Sequence, residues 1–248
     1  MKPCYLFANW KMYLDYTESA DLATALAKEA EGLDPEIKMV IFPTALAMPI
    51  VREALEGTEI KFGAQNVYWV EKGGYTGEIS ASFYKSVGAS HALVGHSERR
   101  HLFHETNHEV RQKMEAVLAA GLIPVLCIGE TLAEKKEIQT EEVIEAQLRA
   151  AFTGLAFPAG TEVLVAYEPV WSIGTGEACE PAEAERMAAI IEKYVVGLLG
   201  KVQPIILYGG SVRAENVQQY LSQPHLSGVL VGGASAKLTS WMEIVKSL

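Results

Sequence analysis

Cysteine is scarce in this chain, and its spacing forms no pattern. The three cysteines, Cys4, Cys127 and Cys179, are scattered over 248 residues, with no CxxC among them. An odd, sparse set argues against a disulfide framework and reads as free thiols in a reducing compartment. Long apolar runs are missing too. The most apolar stretch, Val117 to Ile128, is broken by Gly121 and Pro124 and is too short to span a bilayer. No signal peptide is visible, because the short apolar run after Lys2-Pro3 ends at Asn9 and Lys11. The expected location is therefore cytoplasmic. Positive charge is in deficit: Lys and Arg number 21 against 31 Asp and Glu, a net charge of −10. That argues against nucleic acid or an anionic membrane as the main partner. It leaves room for a small anionic substrate, because local donors can overcome a distant field. Finally, no Pro/Gly/Ser-rich linker, low-complexity tract or charge block marks a boundary. Residues 1–248 are expected to form one domain.

What the chain does have is apolar residues, 49% of the total, arranged in a rhythm. Short apolar runs recur at Tyr5–Ala8, Lys38–Phe42, Ile60–Ala64, Ala92–Gly95, Ile123–Ile128, Val163–Tyr167, Ile205–Tyr208 and Gly228–Val231. They are continuous rather than alternating, as expected of parallel strands covered on both faces. Helical patterns lie between them. Met187, Ile190, Ile191, Tyr194, Val195 and Leu198 share one stripe behind Pro181, and Val110, Met114, Val117 and Leu118 share another. Thr106-x-x-Glu109 and Thr131-x-x-Glu134 have the spacing of capping boxes. Eight strand–helix units in this length fit a closed α/β barrel of eight parallel strands, with an open doubly wound sheet as the alternative.

The strands end on polar or small residues: Asn9-Trp10-Lys11, Gln65-Asn66, Gly95-His96-Ser97-Glu98, Gly129-Glu130, Glu168, Gly209-Gly210-Ser211 and Gly232-Gly233. In a parallel barrel these ends gather on one face. Glu168 follows an apolar strand and precedes Pro169-Val170-Trp171. It is either an exposed loop carboxylate or a base poised to take a carbon-bound proton. The segment after it is stiff at its start and bare at Gly174-Thr175-Gly176, which suits a hinged lid as well as an ordinary loop. Trp171 favours the lid, since an indole there needs something to cover. The two Gly-Gly turns after the last two strands can present backbone amides to a phosphate. His96 opens a short helix, SERRHLF, whose dipole disfavours its protonation, so that a neutral ring could polarise a carbonyl. Lys11 could place an ammonium in the site and Asn9 an amide.

Other chemistry-bearing residues receive plainer readings. His104-Glu105-Thr106-Asn107-His108 matches the zinc-peptidase pattern HExxH, which needs both histidines on one continuous helix. Thr106 and Asn107 look like helix-starting residues, so a metal site is not expected there. Cys127 reads as a packed thiol, His91 as a structural residue at the opposite end of its strand, and His225 as a surface residue without an evident partner.

Together ANWKM (8–12), VGHSERR (94–100), AYEPVWSIGTG (166–176), YGGSV (208–212) and GVLVGGAS (228–235) closely resemble the triosephosphate isomerase family, in order and spacing from first strand to last. The resemblance implies a TIM barrel. It also implies interconversion of dihydroxyacetone phosphate and D-glyceraldehyde 3-phosphate through an enediol(ate), in glycolysis and gluconeogenesis, with no cofactor and no metal. It assigns Glu168 as base, His96 as neutral electrophile, and Lys11 with Asn9 to substrate binding and charge stabilisation. Glu98 becomes a supporting carboxylate beside the lysine, and Gly174, Ser211, Gly232 and Gly233 the phosphate grip. A homodimer is implied as well, with Gln65, Asn66, Tyr75 and Thr76 on a loop that enters the neighbouring subunit's pocket. The chain departs from the family's usual residues at Ala8, Tyr13, Ser172 and Glu177-Ala178-Cys179, none of which is among the groups assigned to the chemistry.

Overall fold

The computed structural model describes residues 3–173, 178–200 and 202–248. Strands β1 (Cys4–Asn9), β2 (Ile37–Phe42), β3 (Lys61–Ala64), β4 (His91–Val94), β5 (Ile123–Ile128), β6 (Leu164–Tyr167), β7 (Ile205–Tyr208) and β8 (Leu226–Val231) are all parallel. They close in sequence order, with β8 returning to β1. Closure overturns the open-sheet alternative: this is a TIM barrel. All eight apolar runs became strands.

Two apolar clusters explain why those runs do not alternate. One fills the barrel interior and includes Tyr5, Phe7, Phe42, Leu93, Cys127, Leu164, Ala166, Leu207 and Leu230. The other lies between the barrel and its helices and takes the intervening residues, among them Leu6, Ala8, Val94, Val165, Ile206 and Val229. Each strand therefore buries both faces. The helix Pro181–Leu199 turns Met187, Ile191 and Val195 inward, with Ile190, Tyr194 and Leu198 half-buried at the margin of the stripe. Both capping boxes form, at Thr106/Glu109 and Thr131/Glu134. A third, Asp15/Glu18, starts the helix Tyr16–Glu29.

All three cysteines are free. Cys127 is fully buried, and burial pushes its thiol pKa well up, consistent with packing rather than nucleophilic use. Among the described residues no helix is long and apolar enough to cross a membrane.

Candidate active site

The alternation that fills the barrel also builds its rim. Side chains two apart on a strand share a face. Phe7 points into the core, so Asn9 follows it inward one step higher, and Ala166 is followed in the same way by Glu168. Leu207 and Leu230 are followed by Gly209 and Gly232, which keep the rim open. A cavity of about 430 Å³ results, lined by Asn9, Lys11, His96, Glu98, Glu168 and the turns 209–213 and 232–234.

Glu168 is 2% exposed. Its backbone N–H donates to Ile128 O at 2.7 Å, which prolongs the sheet by one rung and fixes the root of the side chain. Its Oε2 accepts from Ser97 N–H at 2.8 Å, and its Oε1 lies 3.1 Å from His96 Nε2. His96 caps the helix Ser97–Leu102, and its Nδ1 accepts the N–H of Glu98 at 3.2 Å. An acceptor nitrogen carries no proton, so the ring's hydrogen sits on Nε2, the nitrogen nearer Glu168. Glu98 Oε2, at 3.8 Å from Nδ1, is too distant to compete with that backbone donor. Gly209 leaves the space this carboxylate needs: a Cβ there would stand 2.8 Å from Glu168 Cγ.

Lys11 holds the left-handed conformation, φ +49°, which is unusual for a residue with a side chain. Its N–H donates to Asn9 Oδ1 at 3.0 Å and its carbonyl accepts from Gln65 Nε2 at 2.7 Å. Its ammonium meets Glu98 Oε1 at 2.6 Å. Across the cavity, the backbone N–H groups of Ser211, Gly232 and Gly233 find no acceptor among the described residues, which leaves a ring of donors around the concavity.

The described residues on either side of 174–177 are held by side-chain hydrogen bonds. Trp171 donates its indole N–H to Glu130 Oε1 at 2.7 Å, and Lys135 Nζ stands 3.2 Å above its ring. Glu130 also takes the Tyr167 hydroxyl, and burial raises its carboxyl pKa. Ser211 Oγ donates to Ser172 O at 2.6 Å. Beyond the tip, Cys179 N–H donates to Tyr208 Oη at 3.1 Å, and Tyr220 Oη to Cys179 O at 2.6 Å. Gly210 is required for close approach, since a Cβ would fall 2.2 Å from Tyr208 Oη and 2.7 Å from Ser172 Oγ. Gly174 and Glu177 lie outside the described residues.

The structure thus gathers Asn9, Lys11, His96, Glu98, Glu168, Ser211, Gly232 and Gly233 around one cavity. Tyr75 and Thr76 are exposed on the loop after β3, where Tyr68 stacks on Trp69 at 4.1 Å and meets Tyr75 at 4.8 Å. Gln65 and Asn66 have partners within their own chain, Asn66 Oδ1 accepting from Lys113 Nζ at 2.8 Å. The HExxH residues do not share a helix: His104 sits at φ +56° and the helix begins at Asn107. Its glutamate, Glu105, is buried and bonds Gly95 N–H, Arg99 and Lys113. His225 corrects the expectation of no partner, because its Nδ1 bonds Glu185 Oε1 at 2.5 Å, a residue 40 positions away whose approach no local spacing reports. Sequence reasoning assigned no role to Glu130, Tyr208 or Tyr220. Glu130 carries the same signal as Glu168, a carboxylate just past a buried strand; the two tyrosines carry none.

A family model described as triosephosphate isomerase matches residues 4–248. The triosephosphate isomerase of Citrifermentans bemidjiense is 41% identical over 249 residues, covering 99% of both chains. That of Rhodopirellula baltica is 40% identical over 96% of this chain and 95% of its own. That of Dictyoglomus thermophilum is 38% identical over the full length of both. Similarity that runs the length of the barrel and takes in every element of the rim leads to one conclusion: this chain belongs to the triosephosphate isomerase family.

Proposed function

We propose that Glu168, His96, Lys11 and Asn9 carry out the family's interconversion of dihydroxyacetone phosphate and D-glyceraldehyde 3-phosphate, with residues 1–248 acting as one catalytic barrel. The observation that supports this most directly is a buried carboxylate 3.1 Å from an imidazole nitrogen at the mouth of a donor-lined cavity. Glu168 takes the proton from the carbon beside the carbonyl. The C–H electrons form the carbon–carbon double bond, and negative charge moves to the oxygen. His96 Nε2–H donates to that oxygen and Lys11 offsets its charge. The proton of the neighbouring hydroxyl passes to that oxygen, Glu168 returns its proton to the adjacent carbon, and the carbonyl re-forms where the hydroxyl stood, so no atom is gained or lost.

One Glu168 oxygen accepts from Ser97 N–H, and the other lies 3.1 Å from His96 Nε2. Substrate must therefore displace the Ser97 hydrogen bond and the His96 contact as it settles: His96 presents its proton to the substrate and Glu168 is freed toward carbon. The amides of Ser211, Gly232 and Gly233, with Gly174 of the lid, would hold the phosphate, and Glu98 would steer the Lys11 ammonium. Lid closure over the enediolate excludes water and so limits loss of phosphate.

The chain would act as a homodimer in the cytoplasm. Met12, Leu46, Tyr75 and Phe103 are exposed on the segments that follow β1, β2, β3 and β4, neighbouring positions around one end of the barrel. So much apolar surface in one region suits burial against a second copy, with the loop of Tyr75 and Thr76 entering its pocket. Turnover of enantiopure D-glyceraldehyde 3-phosphate in the presence of a chelator tests the reaction. Glu168→Gln should lower kcat by roughly 10²- to 10⁴-fold, the usual range for a lost general base; normal turnover by that variant would remove Glu168 from the role.

A further inference from the structure

The inward alternation has a lower end as well. Beneath the layer of Phe7, Leu93 and Leu164 it places Tyr5, His91 and Glu162 at the floor of the barrel, where the strands begin. A second cavity opens there, about 550 Å³, lined among others by Tyr5, Phe7, Met39, Ile60, His91 and Glu162. That is a usual size for a small-molecule site. It lies at the other pole from the rim, about 16 Å from His96 along β4 at the usual strand rise.

The inward polar groups beside His91 pair with one another or with backbone, apart from one nitrogen of the histidine itself. Tyr5 Oη donates to Glu162 Oε1 at 2.7 Å. Ser90 Oγ spends its hydrogen on Phe62 O at 3.0 Å, so its 2.7 Å contact with His91 Nδ1 must be donated by the ring. Burial pushes the His91 pKa down to about 4, so at neutral pH the ring is uncharged and Nε2 carries a lone pair. His91 is 6% exposed, and its Nε2 has no hydrogen-bond partner among the described residues. Nor is that nitrogen among the sealed, unpartnered atoms, so what reaches it is the cavity. Phe7 meets the ring edge-on at 5.5 Å and extends the apolar wall beside this acceptor. A buried acceptor in apolar surroundings gains most from a neutral O–H donor, because a cation would have to shed its hydration to reach it.

We propose that the floor cavity is a binding site for a small neutral aromatic alcohol, its ring against Tyr5, Phe7 and Val40 and its O–H donated to His91 Nε2. The site is independent of the rim chemistry. A fused two-ring phenol suits the volume, and 2-naphthol is a convenient probe because its own fluorescence reports binding.

Titration of the full chain with 2-naphthol and with 2-methoxynaphthalene, which keeps the rings but lacks the donor, tests the bond directly on the unaltered protein. One 2-naphthol per chain should bind, about tenfold more tightly than the ether, the effect of one hydrogen bond near 1.4 kcal/mol. Ile60→Trp, which fills the cavity, should abolish binding while turnover stays unchanged, and dihydroxyacetone phosphate should not compete. No saturable binding, equal affinity for the two probes, binding that survives in a folded Ile60→Trp, or displacement by the triose phosphate would each overturn the proposal. If Ile60→Trp fails to fold, the comparison of the two probes decides alone.

Discussion

Lowering the pH from 7 to 5 should weaken this protein through one residue far from its chemistry. The neutral ring of His91 is buried, with a pKa near 4 in the fold against 6.5 in an unfolded chain. A base whose pKa falls on folding contributes its full stability above the unfolded value. That contribution is lost as pH drops from the unfolded pKa through the folded one. Linkage between those two values gives a loss of about 2 kcal/mol by pH 5 and about 3 kcal/mol by pH 4. Titrating carboxylates elsewhere act on the same curve, so the measurement is a difference. Urea unfolding of the wild type and of His91→Gln, at one protein concentration and at pH 7 and pH 5, isolates the contribution of the ring. The wild type should lose about 2 kcal/mol more than the variant between the two conditions. Equal losses would show that protonating His91 costs nothing on folding, and the picture of a buried, neutral ring at the barrel floor would fail.

Four other substitutions probe the rim and its supports. Trp171→Phe removes the indole donor from buried Glu130 and should lower kcat/KM roughly tenfold, about one charged hydrogen bond, in steady-state assays. Gly210→Ala forces a methyl against Tyr208 and Ser172; it should destabilise by about 1–3 kcal/mol, read as a fall in Tm, and weaken the lid's distal anchor. Lys113→Met leaves Glu105 buried with Arg99 as its one side-chain cation, an expected cost of about 3–5 kcal/mol in denaturant unfolding. Leu46→Lys, at a position 84% exposed in the single chain, should shift light-scattering mass from dimer toward monomer; an unchanged mass would move the interface elsewhere.

The fold and the central groups were legible because both are local in sequence. Continuous apolar runs such as Ile123–Ile128 and Ile205–Tyr208 became strands with those bounds. Elsewhere the ends moved by a residue or two. Gly95 reads as the last residue of its strand, but it adopts φ +72° and turns the chain into the His96 cap. Glu168 and His96 stand out because each is an ionisable side chain placed directly after a buried apolar strand, where the barrel brings it to the rim. The supports were not legible, because they depend on contacts between distant segments. Tyr5 and Glu162 are 157 residues apart, and Tyr220 and Cys179 are 41 apart. Glu105 was hidden in a different way: it sat within a metal-site motif and turned out to be the buried hub of Arg99 and Lys113. No helical or strand period reports such pairings.

The left-handed backbone at Lys11 has a consequence for how ligands meet this protein. Holding a side-chain-bearing residue there costs on the order of 1 kcal/mol, and Asn9 and Gln65 keep it from relaxing. The ammonium is consequently aimed before any anion arrives, rather than recruited by it. Arrival then requires little searching by the protein, since the charge already stands where it is needed.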